Sequence, residues 1–268
     1  MTALAHVVSK DGTRIGYTRT GNGPAVVLVD GALSYRGSSL NDGLARALAP
    51  EFTVYTYDRR GRGESGDTPP FAVERELEDL GAIVAAAGGR ARLYGISSGG
   101  ALVLEAGARL AGIEEVAVYE LPLVVDGERQ PVPPDAAAHT RELLAAGRRA
   151  EAVSYFMRDG SNLPGWIVAI MHLMPAWGRL KAVAHTLPYD LELMDGLQAG
   201  KPLPRGRWDL QVPALVMGGG KSPAWLRNGT RALANNLGAE HRTLGGQRHI
   251  VKAEAVAPAV SEFFSRPG

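Results

Sequence analysis

Short, almost wholly apolar segments alternate along this chain with segments of helical periodicity. Residues 25–30 read Ala-Val-Val-Leu-Val-Asp, and an apolar run of this length is typical of a strand that is buried on both faces. Alternation of such strands with helices predicts an α/β fold, a mostly parallel sheet with helices on both faces. The predicted strands are residues 13–20, 25–30, 53–57, 91–96, 116–119, 214–217 and 240–244, and the predicted helices are residues 42–48, 73–87, 98–110, 223–237 and 253–264.

The alternation stops between residues 121 and 209. This stretch is punctuated by proline, has no clear strand pattern and concentrates large soft side chains. An insertion of this length between two strands predicts a helical cap over the strand ends, with residues 1–120 and 210–268 forming the core. Because a cap over a sheet faces the site, we expect part of it to line the substrate pocket. The candidate lining residues are Met157, Trp166, Met171, Met174 and Trp177.

The composition excludes several kinds of function. The 268 residues include no cysteine, which excludes disulfides, thiolate metal sites and cysteine nucleophiles. The net charge of +1 gives no strong field for nucleic acid or for an acidic membrane. The first residues lack the pattern of a signal peptide, and no stretch reaches the roughly 18 apolar residues of a membrane span. We therefore expect a cytoplasmic monomer or homodimer that acts on a small molecule.

The pattern Gly-x-Ser-x-Gly at residues 95–99 lies directly after a predicted strand and directly before a predicted helix. In this setting the serine sits at the apex of a sharp turn, and small residues two positions away let the strand and helix approach. Gly95 and Gly99 meet this need, so Ser97 is the candidate nucleophile. The N-terminus of the following helix points its N–H groups and its positive dipole end at the reacting oxygen.

A serine nucleophile needs a base, and His249 is the candidate. Of the 6 histidines, it alone lies in a loop between a late predicted strand and the last predicted helix. A single histidine is usually a surface or core residue. The position and the chain order of His249 distinguish it from that ordinary case.

Together these motifs resemble those of α/β-hydrolase-fold proteins of the serine-hydrolase kind, and the resemblance covers almost the whole chain. Residues 29–32 (Val-Asp-Gly-Ala) stand where that family has its His-Gly oxyanion turn. Residues 58–65 (Asp-Arg-Arg-Gly-Arg-Gly-Glu-Ser) match the family's D-x-R-G-x-G-x-S loop. The resemblance implies an α/β-hydrolase fold whose oxyanion hole is formed by the N–H groups of Ala32 and Ser98.

Two positions depart from the family pattern. Asp30 replaces the histidine of the oxyanion turn, where its side chain either adds charge near the substrate or bonds the loop itself. The usual acid after the strand at residues 214–217 is also missing. Ser222 stands in its place, and no Asp or Glu occurs from residue 210 to residue 239.

Glu120 is the candidate substitute for the missing acid. It ends the strand that follows the serine turn, and it comes 23 positions after Ser97. Haloalkane dehalogenases, which share this fold, carry their acid at the end of the same strand with a similar separation. Their nucleophile is an aspartate, as in epoxide hydrolases, so the serine here does not imply either chemistry. Asp126 is the second candidate acid.

These residues predict a serine hydrolase that cleaves an ester, thioester or lactone of a small to medium hydrophobic substrate. Ser97 attacks the carbonyl, His249 is the base and Glu120 orients it, so the reaction needs no metal and no organic cofactor. One alternative is a lyase, a cyclase or a cofactor-free oxygenase in which Ser97 only donates a hydrogen bond. The other is a hydrolase-like receptor that binds its ligand without turnover.

Overall fold

The computed structural model describes residues 3–39 and 41–266, and an 8-stranded sheet forms its centre. Residues 1–2, 40 and 267–268 of the predicted core ranges lie outside the described residues. The strands are β1 (Ala5–Val8), β2 (Arg14–Thr20), β3 (Ala25–Val29), β4 (Thr53–Tyr57), β5 (Ala91–Ile96), β6 (Ile113–Tyr119), β7 (Ala214–Gly219) and β8 (Glu240–Leu244). Their order across the sheet is β1-β2-β4-β3-β5-β6-β7-β8. Neighbours from β4 to β8 are parallel, whereas β1 and β2 are antiparallel additions.

Helices cover both faces of the sheet. The helices are α1 (Asn41–Leu48), α2 (Val73–Ala86), α3 (Ser98–Arg109), α4 (Ala136–Ala145), α5 (Arg149–Tyr155), α6 (Gly165–Met171), α7 (Ala176–Ala182), α8 (Leu187–Leu193), α9 (Ala224–Leu237) and α10 (Ala253–Phe264). Helices α1 and α10 pack on one face, and α2, α3 and α9 pack on the other. The predicted α/β class is therefore confirmed. Among the described helices, none has both the length and the apolar character needed to cross a membrane.

Strand β3 is apolar along its whole length because both of its sides are covered. Val27 and Val29 belong to the core cluster under α2 and α3, whereas Val26 and Leu28 belong to the cluster under α1 and α10. Side chains of a strand alternate between the two faces of a sheet, so every position here meets a helix layer.

The order of the strands brings the predicted site residues to one edge of the sheet. β3 and β5 are neighbours, and from them the chain continues to β4 on one side and to β6 on the other. Such a switch point forms a crevice at the carboxyl ends of the strands. Val29 pairs with Gly95, and Tyr119 pairs with both Ile96 and Met217. The residues that follow β3, β5 and β6 therefore emerge side by side.

The segment from residue 121 to residue 209 joins β6 to β7 and contains α4 to α8 but no strand. It also contains a π-helical turn at Phe156–Gly160 and a 3₁₀ turn at Ala184–Thr186. Its buried apolar side chains form a cluster of their own, which includes Leu33 from the loop after β3. We call residues 121–209 the cap and this cluster the cap cluster. The division of the chain into core and cap stays a prediction.

Gly99 lies where α3 packs closely against the end of β3, and no larger residue fits there. An added Cβ there would lie 2.6 Å from the carbonyl oxygens of both Val29 and Asp30. Gly99→Ala must push the two backbones apart, so we expect it to lower the free energy of unfolding by about 1–3 kcal/mol. Urea unfolding followed by circular dichroism measures this change.

Gly81→Ala in α2 is the matched control, since the nearest atom to its added Cβ is Cδ1 of Leu110 at 3.9 Å. Alanine is preferred over glycine within a helix, so this variant should gain about 0.5–1 kcal/mol. A Gly99→Ala protein as stable as Gly81→Ala would show that the helix and the strand are not in tight contact.

Candidate active site

Ser97 lies between β5 and α3 in a backbone conformation that few residues adopt. Its φ is 56° and its ψ is −134°, and such a conformation costs about 1–3 kcal/mol in a residue other than glycine. Two backbone hydrogen bonds hold it: its N–H donates to the carbonyl of Tyr119 at 3.0 Å, and its carbonyl accepts from the N–H of Gly100 at 2.9 Å. An added Cβ at Gly95 would lie 2.5 Å from the carbonyl oxygen of Gly99. A side chain at either Gly95 or Gly99 would therefore clash with neighbouring backbone atoms.

The structure brings Glu120 and His249 into contact. Nδ1 of His249 lies 3.1 Å from Oε2 of Glu120, and Oε1 of Glu120 accepts the N–H of Gly219 at 2.7 Å. Glu120 is fully buried, whereas the His249 side chain is 43% exposed. With Nδ1 directed at a carboxylate oxygen, Nε2 is left free to accept a proton. The hydroxyl of Tyr119 donates to the carbonyl of Arg248 at 2.7 Å and so holds the histidine loop.

Neither of the other two candidate acid positions is directed at the histidine. Asp126 accepts the N–H of Glu128 at 3.1 Å and the amide Nδ2 of Asn228 at 2.8 Å, so its carboxylate bonds its own loop and α9. Ser222 is buried, and its hydroxyl has no hydrogen-bond partner among the described residues. Glu120 is therefore the carboxylate that the structure pairs with His249. Within the described residues, no group of His, Asp and Glu could hold a metal ion.

The loop after β3 passes directly beside Ser97. An added Cβ at Gly31 would lie 2.8 Å from Cβ and 3.3 Å from Oγ of Ser97. The carbonyl of Gly31 accepts from Nη1 of Arg62 at 2.7 Å in the interior. Because the C=O and the N–H of a trans peptide point in opposite directions, the N–H of Ala32 points away from Arg62. The role of this N–H as an oxyanion donor stays a prediction.

The second predicted oxyanion donor is the N–H of Ser98, and the start of α3 determines its direction. The carbonyl of Ser97 points into the first turn of the helix, where it accepts from Gly100. By the same peptide geometry, the N–H of Ser98 points back out of the helix N-terminus. The N–H groups there carry the positive end of the helix dipole, which favours an anion.

Asp30 is buried and bonded to its neighbours. Its Oδ1 accepts from the hydroxyl of Ser39 and, at 2.9 Å, from Nδ2 of Asn41. Burial raises the pKa of Asp30 to about 7, against the opposing effect of the Ser39 hydrogen bond. Of the two roles that the sequence leaves open for Asp30, these contacts favour that of bonding the loop. A contact with substrate stays a prediction.

A group of buried charges beside Ser98 was not foreseen from the sequence. Asp190 of α8 accepts Nη1 of Arg59 at 2.7 Å on Oδ1 and Nη2 of Arg62 at 2.5 Å on Oδ2. Arg59 also donates to both carboxylate oxygens of Glu76, in α2, at 2.6 and 2.5 Å. The hydroxyl of Ser98 donates to Oδ1 of Asp190 at 2.7 Å. We call Arg59, Arg62, Glu76 and Asp190 the buried charge network.

The charges of this network stabilise one another in the protein interior. Burial alone would raise the pKa of Asp190, but Arg59 and Arg62 hold it below its ordinary value. The two arginines belong to the D-x-R-G-x-G-x-S loop, which the sequence does identify. Glu76 and Asp190 lie 17 and 131 positions from Arg59, and no local pattern marks either of them as a partner.

Three of the predicted lining residues belong to the interior of the cap. Trp177 is 6% exposed and stacks on His172, with ring centroids 4.0 Å apart. Met157 and Met171 are half-buried against the cap cluster. Leu33, one residue after the predicted donor Ala32, packs in the same cluster, so these side chains border the loop beside Ser97. Their contact with substrate stays a prediction.

The other two predicted lining residues face solvent. Trp166 is 67% exposed and Met174 is 49% exposed. Trp166 lies two positions before the buried Val168, and with about 3.6 residues per turn these two face opposite sides of α6. Trp166 is thus on the outer side of the cap, together with the exposed Ile170 and Leu173. Its predicted role in the pocket is not supported by this placement.

Known proteins agree with this architecture. The sequence profile of the Alpha/beta hydrolase family matches residues 26–259. The crystal structure of an alpha/beta hydrolase from Sphaerobacter thermophilus has 50% sequence identity and a TM-score of 0.90, and the match covers 97% of this chain and 100% of that one. No curated protein sequence matches this chain significantly.

More distant structures share the fold. A thermophilic esterase from Thermogutta terrifontis has 20% identity and a TM-score of 0.70, with 98% of each chain covered. An enol-lactonase from Burkholderia xenovorans has 24% identity and a TM-score of 0.66, with 98% of this chain and 100% of that one covered. At these identities the likeness concerns the fold alone. The profile match over most of the chain and the half-identical relative show that the chain belongs to the alpha/beta hydrolase family.

Proposed function

We propose that this protein is a serine hydrolase that transfers an acyl group from an ester, thioester or lactone to water. The contact of 3.1 Å between Nδ1 of His249 and Oε2 of Glu120 carries this proposal. It supports an imidazole that is oriented through Nδ1 at the edge of the sheet where Ser97 emerges, with Nε2 available to the substrate side. A buried carboxylate behind a histidine stabilises the imidazolium that forms when the histidine takes a proton.

The reaction begins with attack by Oγ of Ser97 on the substrate carbonyl carbon while Nε2 of His249 takes the hydroxyl proton. The negative charge that develops on the carbonyl oxygen is stabilised by the N–H groups of Ala32 and Ser98. Protonated His249 then donates its proton to the leaving group, which leaves an acyl-enzyme on Ser97. Water, deprotonated by His249, cleaves the acyl-enzyme by the same steps.

The cap cluster supports a hydrophobic acyl group as the substrate. Leu33, in the loop beside Ser97, packs in the cap cluster with three apolar side chains of the cap: Met157, Met171 and Trp177. An apolar lining stabilises apolar substrate surface by about 25 cal/mol per Å² removed from water. Solved structures of the same fold include an esterase and an enol-lactonase, and both names denote substrates in the proposed classes.

The first prediction concerns the nucleophile. Wild-type protein treated with a fluorophosphonate should carry the label on Ser97, located by mass spectrometry of its peptides. Ser97→Ala should lose the label and lower the kcat for short p-nitrophenyl esters by about 10³-fold or more. Its melting temperature should change by less than about 2 °C, because a single hydroxyl contributes little to packing.

A folded wild-type protein that takes no label, or a Ser97→Ala variant that hydrolyses at the wild-type rate, would contradict the acyl-enzyme. The first result would favour a lyase, cyclase or oxygenase reaction in which His249 is the base, or a receptor without turnover. The alanine variant keeps the Cβ at the strained position, so it isolates the hydroxyl.

The second prediction concerns the acid. Glu120→Gln keeps the shape of the side chain but removes the charge that stabilises the imidazolium, so we expect kcat to fall by about 10⁴-fold. Steady-state hydrolysis of the same ester measures this loss. Asp126→Asn is the matched control, since its carboxylate bonds Glu128 and Asn228, and it should stay within about threefold of wild type. A Glu120→Gln rate within tenfold of wild type would mean that His249 works without this acid.

A further inference from the structure

We propose that Asp190, which belongs to the cap, is a positioning residue that fixes both donors of the oxyanion hole; this inference rests on the proposed function. Its carboxylate is 1% exposed. It accepts hydrogen bonds from Arg59, Arg62 and the hydroxyl of Ser98. The two arginines also bond backbone carbonyls in the loop before Ala32, and Ser98 carries the second donor itself.

The first connection runs through Arg62 to Ala32. Oδ2 of Asp190 accepts Nη2 of Arg62 at 2.5 Å, and Oγ1 of Thr186 accepts its Nε at 3.0 Å. The guanidinium is planar, so these two bonds orient Nη1 as well. Nη1 donates to the carbonyl of Gly31 at 2.7 Å. Rotation of that carbonyl would turn the N–H of Ala32 away from the reacting oxygen, because the two groups share one peptide plane.

The second connection runs directly to Ser98. Its hydroxyl donates to Oδ1 of Asp190 at 2.7 Å, so the first residue of α3 is tied to the cap by its side chain. The same oxygen accepts Nη1 of Arg59 at 2.7 Å, and this Nη1 lies 3.2 Å from the carbonyl oxygen of Asp30, which it also bonds. One carboxylate thus fixes the backbone on both sides of Ser97.

The negative charge of Asp190 also keeps the guanidinium groups of Arg59 and Arg62 in these positions. In the network two cations, Arg59 and Arg62, meet two carboxylates, Glu76 and Asp190, all fully or almost fully buried. Without Asp190 one buried guanidinium has no counter-charge, and it would move to recruit water or another acceptor. The carbonyls of Asp30 and Gly31 are bonded to the two guanidinium groups that would move.

A positioning role can be distinguished from a merely structural one by comparing two substrates. They differ in the atom, oxygen or sulfur, on which the negative charge develops during the reaction. In a thionoester the charge develops on sulfur, which is a weak hydrogen-bond acceptor. The oxyanion donors therefore contribute little to its hydrolysis. A defect in donor position lowers the rate for the oxygen ester and leaves the rate for the matched thionoester nearly unchanged.

The experiment compares hydrolysis of a p-nitrophenyl ester and its thionoester by wild type, Asp190→Asn and Ser98→Ala. Removal of a donor outright typically lowers kcat by about 10²–10³-fold. Donors that are displaced but still present should cost less. We expect the kcat for the oxygen ester to fall by about 10- to 100-fold in Asp190→Asn and by about 3- to 10-fold in Ser98→Ala, with the thionoester rate nearly unchanged. KM should change less than about threefold, because the donors act on the transition state.

Glu192→Gln is the matched control on the same helix. Glu192 pairs with Arg141, also in the cap, and is partly exposed, so its loss should leave both rates unchanged. Amide hydrogen exchange of residues 31–36 and 98–100 gives a readout that needs no turnover. We expect faster exchange there in Asp190→Asn than in wild type, and wild-type exchange in Glu192→Gln.

Three results would overturn the proposal. Equal losses for the ester and the thionoester would show a general structural defect, and a faster ester reaction would show that removing the negative charge outweighs positioning. Wild-type exchange rates in Asp190→Asn would show that the backbone does not depend on it. If Asp190→Asn does not fold, an unchanged ester-to-thionoester ratio in Ser98→Ala overturns the proposal. Failure of the proposed function is a different result, seen in wild type as no ester turnover and no label on Ser97.

Discussion

Charges that are buried in the protein interior must be paired with opposite charges, and this requirement fixes where three distant parts of the chain meet. Arg59 and Arg62 are fully buried, and an unpaired buried ion costs several kcal/mol even after relaxation. Glu76 in α2 and Asp190 in α8 neutralise them, so the loop after β4, a core helix and the cap converge on one point. Nη1 of Arg59 also bonds the carbonyl of Asp30, and Nη1 of Arg62 bonds that of Gly31. The same interaction therefore orders the core, the cap and the loop beside Ser97.

The site has two polar systems that meet at the serine turn. On one side Glu120 is held by the N–H of Gly219 and faces His249. On the other side Ser98 bonds the buried charge network. None of the hydrogen bonds among the described residues joins Glu120 to that network, so the proposed acid and base are separated from the buried charges. In the proposed reaction, this separation keeps the proton transfer at His249 apart from the ion pairs of Asp190.

The parallel strands could be predicted from sequence because burial on both faces leaves a continuous apolar run. Strand β1 (Ala5–Val8) was missed, since it is short, lies at the sheet edge and is only half-buried on one side. Strand β6 begins at Ile113, three residues earlier than predicted, because Glu114 and Glu115 pair with arginines on β5 and its approach. The serine turn, the histidine loop and Glu120 carry local signals in spacing and strand position. Asp190 carries none, because only the folded chain brings it to its arginines.

The position of the carboxylate at the end of β6 also bears on which side chains position 222 can hold. Ser222, at the family's usual acid position, is buried with a free hydroxyl, which lies 2.8 Å from where a Cβ on Gly219 would be. Gly219 is the residue whose N–H holds Glu120. The two acid positions are thus neighbours around one glycine. A carboxylate introduced at position 222 would therefore stand close to Glu120, and like charges at close range disfavour double ionisation.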